Sequence, residues 1–157
     1  MTPSELCVRR FLDGASCAQA VFSTFTEGRG LDLEVRMRLA SAFGSGARLS
    51  DGTCGALVGA LLVLGLREGF SGPRDVEGRR KLHALAGRLT SAFAERNGSV
   101  LCREVVGFDL GTEQGRAAAR QGQRAADTRR RAIPVVALAD LECDGLARID
   151  AAIVVAR

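Results

Sequence analysis

Apolar residues recur every three to four positions along almost the whole chain. That is the spacing of amphipathic helices, and no alternation of period two persists anywhere. Thr2 caps and Pro3 opens a first helix to about Leu12, closed by Asp13-Gly14. A second runs from about Ser16 to Glu27 with Val21, Phe22 and Phe25 on one face, and stops at Gly28-Arg29-Gly30. Asp32 caps a third, in which Val35, Leu39, Ala42 and Phe43 keep helical spacing as the inward stripe, and Gly44-Ser45-Gly46 ends it. After a polar loop over 47–53, the stretch 54–67 is apolar on every side, which predicts a buried central helix. Gly55, Gly59 and the Ala56/Ala60 pair place small residues four apart on it, so a second helix can approach closely.

A long amphipathic helix follows from about Pro73 to Arg96, with Leu82, Leu85, Ala86, Leu89 and Phe93 as its stripe and Asn97-Gly98 as its end. Ser99 caps a short helix through Val106. Residues 109–133 are polar and Arg-rich, with one exposed helix over Thr112 to Ala126 and then a connection containing Arg129-Arg130-Arg131. The segment Pro134 to Arg157 is helical, with Leu138, Leu141, Leu146, Ile149, Ile153 and Val154 inward. The pattern predicts an all-α fold. One helical bundle of about six to seven helices occupies 1–157 as a single domain around the central helix at 54–67.

Composition narrows the picture. The chain has 157 residues, large enough for a real core, and is 46% hydrophobic and 25% charged, which is globular and not disordered. Only 4% is aromatic, all of it Phe, so Ala, Leu, Val and Gly must build the core. Net charge is +4, carried almost wholly by Arg, since Lys81 is the one lysine. The basic stretches carry no aromatics to stack on bases, which argues against nucleic-acid binding. The longest apolar run, Cys54 to Leu66, is too short for a membrane span. The opening Met-Thr-Pro-Ser-Glu-Leu-Cys has no basic region followed by an apolar one, so a cytoplasmic location is expected. Permanent disulfides are uncommon there, and five cysteines then point to catalysis, metal binding or burial.

Four of those cysteines, Cys17, Cys54, Cys102 and Cys143, fall at predicted helix starts, each a few residues after a Ser, Thr or Asp. A helix N-terminus carries partial positive charge and unpaired N–H groups, and both favour the reactive thiolate. The four are separated by 37, 48 and 41 residues, and no Cys-x-x-Cys pair exists. Local zinc-finger, ferredoxin and thioredoxin signatures are therefore absent, and any shared site must be assembled by the fold. Four thiolates suit zinc or an iron–sulfur cluster, and two pairs suit a reversible disulfide. Cys7 lies mid-helix and reads as packing. His83 falls beside its helix's apolar stripe and reads as a surface or boundary residue. Gly55 and Gly59 suit either a cofactor-lining site or close helix packing. Phosphate loops, paired carboxylates and a Cys-His nucleophile with an orienting partner are all missing.

The residues resemble the C-GCAxxG-C-C family of small redox-active proteins. Gly14-Ala15-Ser16-Cys17-Ala18-Gln19-Ala20-Val21 is similar to its opening block, and Cys54-Gly55-Ala56-Leu57-Val58-Gly59 matches its CGAxxG motif. Phe93 to Arg103 and Cys143 to Ala152 look like its third and fourth blocks. The resemblance implies an all-helical protein with a redox role defined by Cys17, Cys54, Cys102 and Cys143. It also implies similarity to part of the dimeric split-Soret cytochromes c. Covalent haem is not implied, because this chain has no Cys-x-x-Cys-His site.

The expected function is electron or thiol redox transfer to a redox partner not yet named. The four cysteines would act as an iron–sulfur or other metal site, or as a dithiol–disulfide centre. The alternative is a noncatalytic helical accessory or zinc-binding module. Cys17, Cys54 and Cys102 are expected to converge at one end of the bundle with Cys143 nearby. The surplus of apolar surface, notably on the first two helices and around Ile149 to Val155, predicts a homodimer.

Overall fold

The structure is a computed structural model that describes residues 1–44 and 52–121, with side chains described through Ala118. Among these residues the protein is mostly helical and contains no sheet. Seven α-helices follow in order: α1 (Pro3–Leu12), α2 (Cys17–Phe25), α3 (Leu33–Ala40), α4 (Gly55–Glu68), α5 (Val76–Asn97), α6 (Cys102–Val106) and α7 (Glu113–Gln121). A 3₁₀ turn, Ser41–Phe43, extends α3. The expected all-α fold holds. The Arg129–Arg131 run, Cys143 and the segment from Pro134 onward lie outside the described residues.

The helix starts follow their caps. Thr2 and Glu5 form a reciprocal capping box on α1, and Ser16 and Gln19 do the same on α2. Asp32 accepts the Val35 N–H at 2.8 Å on α3. Asp75 caps α5 by accepting the Gly78 N–H at 2.8 Å, so the helix begins at Val76 and not at about Pro73. Ser99 does not cap a helix. Its hydroxyl accepts the Leu101 N–H at 3.0 Å in a local turn, and α6 therefore starts at Cys102. Gly98 and Gly107, with φ of 78° and 77°, bracket this short segment in the left-handed conformation that glycine supplies at least cost.

The most enclosed helix is α2, where every residue from Ala18 to Phe25 except Gln19 is buried. It packs on α1, α3 and α4. The α4 helix is buried over its first half, through Gly55, Ala56, Leu57, Gly59, Ala60 and Val63. Its burial then tapers, with Leu61, Leu62 and Leu64 half-buried and Leu66 43% exposed. A Cβ on Gly59 would lie 2.9 Å from Ala18 O and from Val21 Cβ, and one on Gly55 would lie 3.4 Å from Ala18 N and Cys17 Cβ. Positions 55 and 59 thus meet 17–18 and 18–21 in rising order, so α2 and α4 run parallel with their N-terminal ends together.

The third helix corrects the sequence expectation. Its Val35 and Leu39 are 39% and 54% exposed, whereas Arg36 and Ala40 are buried. The reason is polar. The last carbonyls of α2 have no partner within the helix. The Arg36 guanidinium donates from Nη1 to Ser23 O and from Nε to Asp32 O at 3.2 Å. A cation at a helix C-terminus also meets the negative end of the macrodipole. On the other side of α2, Arg10 Nη1 donates to Ser23 Oγ at 3.3 Å and Thr24 Oγ1 at 3.1 Å, and Arg10 lies 3.8 Å from the Glu27 carboxylate. Two arginines therefore hold the C-terminal half of α2, and α3 is rotated to supply one of them.

The glycines of α4 give a local test of this packing. A Cβ on Gly65 would meet nothing within 4 Å. Gly65→Ala is expected to raise stability by up to ~1 kcal/mol, the helix-propensity difference. A urea midpoint equal to or below wild type would show that the outer face of α4 is also in close contact.

Candidate functional site

Three of the four cysteines singled out by the sequence start helices at one end of the fold. Cys17 is the first residue of α2, directly after its Ser16 cap, and is half-buried. The Gln19 side chain of the same capping box donates from Nε2 to Met37 O at 3.1 Å, which ties this end of α2 to α3. Cys54 is the N-cap of α4 and 2% exposed. Its carbonyl accepts the Val58 N–H at 3.1 Å, and its own N–H donates to Val100 O at 2.8 Å. Cys102 opens α6, is 6% exposed, and packs with Val106, Leu110 and Phe108.

Two links bring the three together. Gly55, next to Cys54, is bare on the side facing α2, so Cys17 Cβ comes within 3.4 Å of where a Gly55 Cβ would stand. The same Cβ would be 2.8 Å from Phe43 O, so the 3₁₀ turn closes over this point. On the other side, Thr53 and Leu101 form an isolated antiparallel bridge, one bond of which runs from Cys54 N–H to Val100 O. The space beside both Gly55 and Gly59 is taken up by the chain's own atoms. Close helix packing accounts for both glycines.

Cys7 and His83 stand apart. Cys7 is wholly buried in α1. Burial pushes its thiol up from the ordinary 9.0 to about 12, against the lesser opposing effects of a hydrogen bond to Thr24 and the Arg10 charge. A thiol held protonated stabilises the fold fully below its unfolded pKa, and that contribution is lost as pH rises from about 9.0 towards 12. Between about pH 9 and pH 11, stability should fall by as much as ~1.4 kcal/mol per pH unit more in wild type than in Cys7→Ala. Urea denaturation at several pH values measures this, and parallel pH profiles would refute it. His83 is exposed on α5, as its place beside the stripe indicated.

Among the described residues no group of three or more His, Cys, Asp or Glu side chains is placed to hold a metal ion. The described thiols do not by themselves fit a cluster or a zinc site, and Cys143 lies outside the described residues. No described helix is long and apolar enough to cross a membrane.

Sequence reasoning did not find the Thr53–Leu101 bridge, because a single bridged pair is too short to show a period of two. Nor did it find Arg36, which looks like any solvent-facing arginine until its helix partner is known.

The family model described as "Putative redox-active protein (C_GCAxxG_C_C)" matches residues 15–156. The chain belongs to that family. As a C_GCAxxG_C_C protein it has the redox character that the family's description carries, and the matched span includes Cys17, Cys54 and Cys102, the three cysteines around Gly55 and the Thr53–Leu101 bridge. No curated protein and no solved structure matches the chain.

Proposed function

We propose that this protein is a thiol redox carrier in which two clustered cysteines cycle between dithiol and disulfide in exchange with a redox partner. The pair is drawn from Cys17, Cys54, Cys102 and Cys143. The observation that carries this reading is the junction of the cysteine-bearing segments, with Cys17 against Gly55 and Cys54 hydrogen-bonded to Val100, two residues from Cys102. Helix starts supply the electrostatics. The N-terminal ends of α2 and α4, nine and fourteen residues long, lie together, so Cys17 and Cys54 both stand at the positive end of a helix dipole. The α6 helix, with five residues, adds little of this kind. Reduced surroundings such as the cytoplasm would keep the dithiol form as the resting state.

The test is a thiol count on protein purified without oxygen, with metal analysis and a visible spectrum on the same sample. A colourless, metal-free protein that loses two thiols on mild oxidation and regains them with a dithiol reductant supports the proposal. A brown protein containing iron and acid-labile sulfide would replace the dithiol centre with an iron–sulfur cluster on the same cysteines. One bound zinc with no reversible loss of thiols would make it a noncatalytic module.

The protein is expected to act as a homodimer. The outer face of α3 leaves Leu33, Val35 and Leu39 at 47%, 39% and 54% exposure. A twofold pairing is the commonest way to cover such a face, and a specific interface buries more than about 1,000 Å² in total. Light scattering at micromolar concentration should give twice the chain mass of 16.5 kDa, and a concentration-independent monomer would exclude the dimer.

A further inference from the structure

We propose that the disulfide of this site forms between Cys54 and Cys102, while Cys17 remains a thiol throughout the cycle. The inference rests on the thiol redox reading above and adds the identity of the pair. In the antiparallel bridge, Thr53 faces Leu101, so Cys54 faces Val100 and Cys102 lies two residues further along. Side chains two residues apart share a face, which makes Cys54 and Cys102 diagonal neighbours on the same side of the bridge. Such neighbours have Cα atoms about 7–8 Å apart. A disulfide needs at most about 7 Å. Closure therefore asks for a shift on the order of an ångström.

The structure lets one partner make that shift and not the others. Cys102 sits on the five-residue α6, between Gly98 and Gly107, both at positive φ. The Cys54 N–H to Val100 O bond belongs to the antiparallel bridge that joins this segment to the start of α4, and Val105, further along α6, is buried in the main core. The shift therefore falls on residues 98–102, between the left-handed Gly98 and that buried anchor, where it displaces no core helix. Cys17 is fixed differently. It begins a nine-residue helix whose backbone meets α4 directly, with Gly59 against Ala18 O and Gly55 against Ala18 N. Any movement of the Cys17 backbone displaces two core helices against each other, and a close-packed interior resists this.

The chemistry balances with an external disulfide R–S–S–R as oxidant. One cysteine thiolate attacks it and displaces R–S⁻, forming a protein–S–S–R mixed disulfide. The second thiolate attacks the protein sulfur of that bond and displaces the other R–S⁻. The two protons released by Cys54 and Cys102 end on two R–SH molecules, and two electrons pass from the protein to the external disulfide. Both thiols are nearly buried at 2% and 6% exposure, so attack on the external disulfide requires a local opening at residues 98–102 that precedes the small closing shift.

Each of the five cysteines falls on a different tryptic fragment, with Cys54 in 49–67 and Cys102 in 97–103. Reduced wild-type protein is exposed to oxidised glutathione, remaining thiols are blocked, and the non-reduced digest is mapped by mass spectrometry. The expected product is fragment 49–67 joined to 97–103, with the Cys17 fragment alkylated. Cys17→Ser should still lose two thiols on oxidation, and Cys54→Ser or Cys102→Ser should lose none to an internal bond. A reversible disulfide joining Cys17 or Cys143 to any partner would overturn the pairing and leave the thiol redox reading standing. Absence of any reversible internal disulfide in wild type would overturn both.

Discussion

Gly59→Leu will lose at least ~3 kcal/mol of stability, the top of the usual range for overpacked cores. The first added carbon already stands 2.9 Å from Ala18 O and Val21 Cβ, and 3.0 Å from Val21 Cγ1. One of those atoms is a backbone carbonyl of α2, so the collision cannot be relieved by a rotamer change. The leucine would have to push α2 and α4 apart, and they share the centre of the core. A domain of this size holds only ~5–15 kcal/mol in total. Gly59→Ala should show the same direction with a smaller loss. Urea unfolding of the two variants beside wild type measures both, and a Gly59→Leu midpoint equal to wild type would show that the α2–α4 contact is loose.

Arg36→Met will be the second costly change. It keeps much of the aliphatic volume but removes the donors that serve Ser23 O and Asp32 O. Hydrogen bonds from charged groups contribute roughly 1.5–3 kcal/mol each, and a buried carbonyl left unserved adds its desolvation penalty. Glu27 N–H already donates to Thr24 O, so it does not take over at Ser23. Against this, desolvation of the guanidinium is recovered. We expect a net loss of about 2–3 kcal/mol, because the cation also serves the negative end of α2. Arg36→Lys should recover less than half, since a single ammonium cannot reproduce the fork of donors. An Arg36→Met protein as stable as wild type would mean that α3 is not held by this side chain.

Local signals carried most of the fold. Thr2, Ser16 and Asp32 mark helix starts because a cap is satisfied by residues three positions away, and that information is in the sequence. Gly55 and Gly59 left close helix packing and a cofactor-lining site equally open, and the contact with Ala18 and Val21 of α2 decides for packing. Failure came where a partner decides. The apolar spacing of Val35 and Leu39 pointed inward, but the donors of Arg36 are needed by α2, and no periodicity records the demand of another helix. The cysteine blocks were legible as a set. Which thiols adjoin depends on the Thr53–Leu101 bridge and on the parallel course of α2 and α4, and both are long-range facts.

That parallel course bears on how the site is made during synthesis. The segments carrying Cys17 and Cys54 can meet as soon as α4 has left the ribosome, because α2 and α4 pack directly on each other. Cys102 follows 48 residues later, which at the usual ~5–20 residues per second is a delay of roughly 2–10 s. During that interval the nascent chain presents Cys54 without the Val100–Cys102 segment to which its N–H bonds. On the proposed pairing, an oxidant met then would find Cys54 without Cys102, so the order of synthesis favours maturation under reducing conditions.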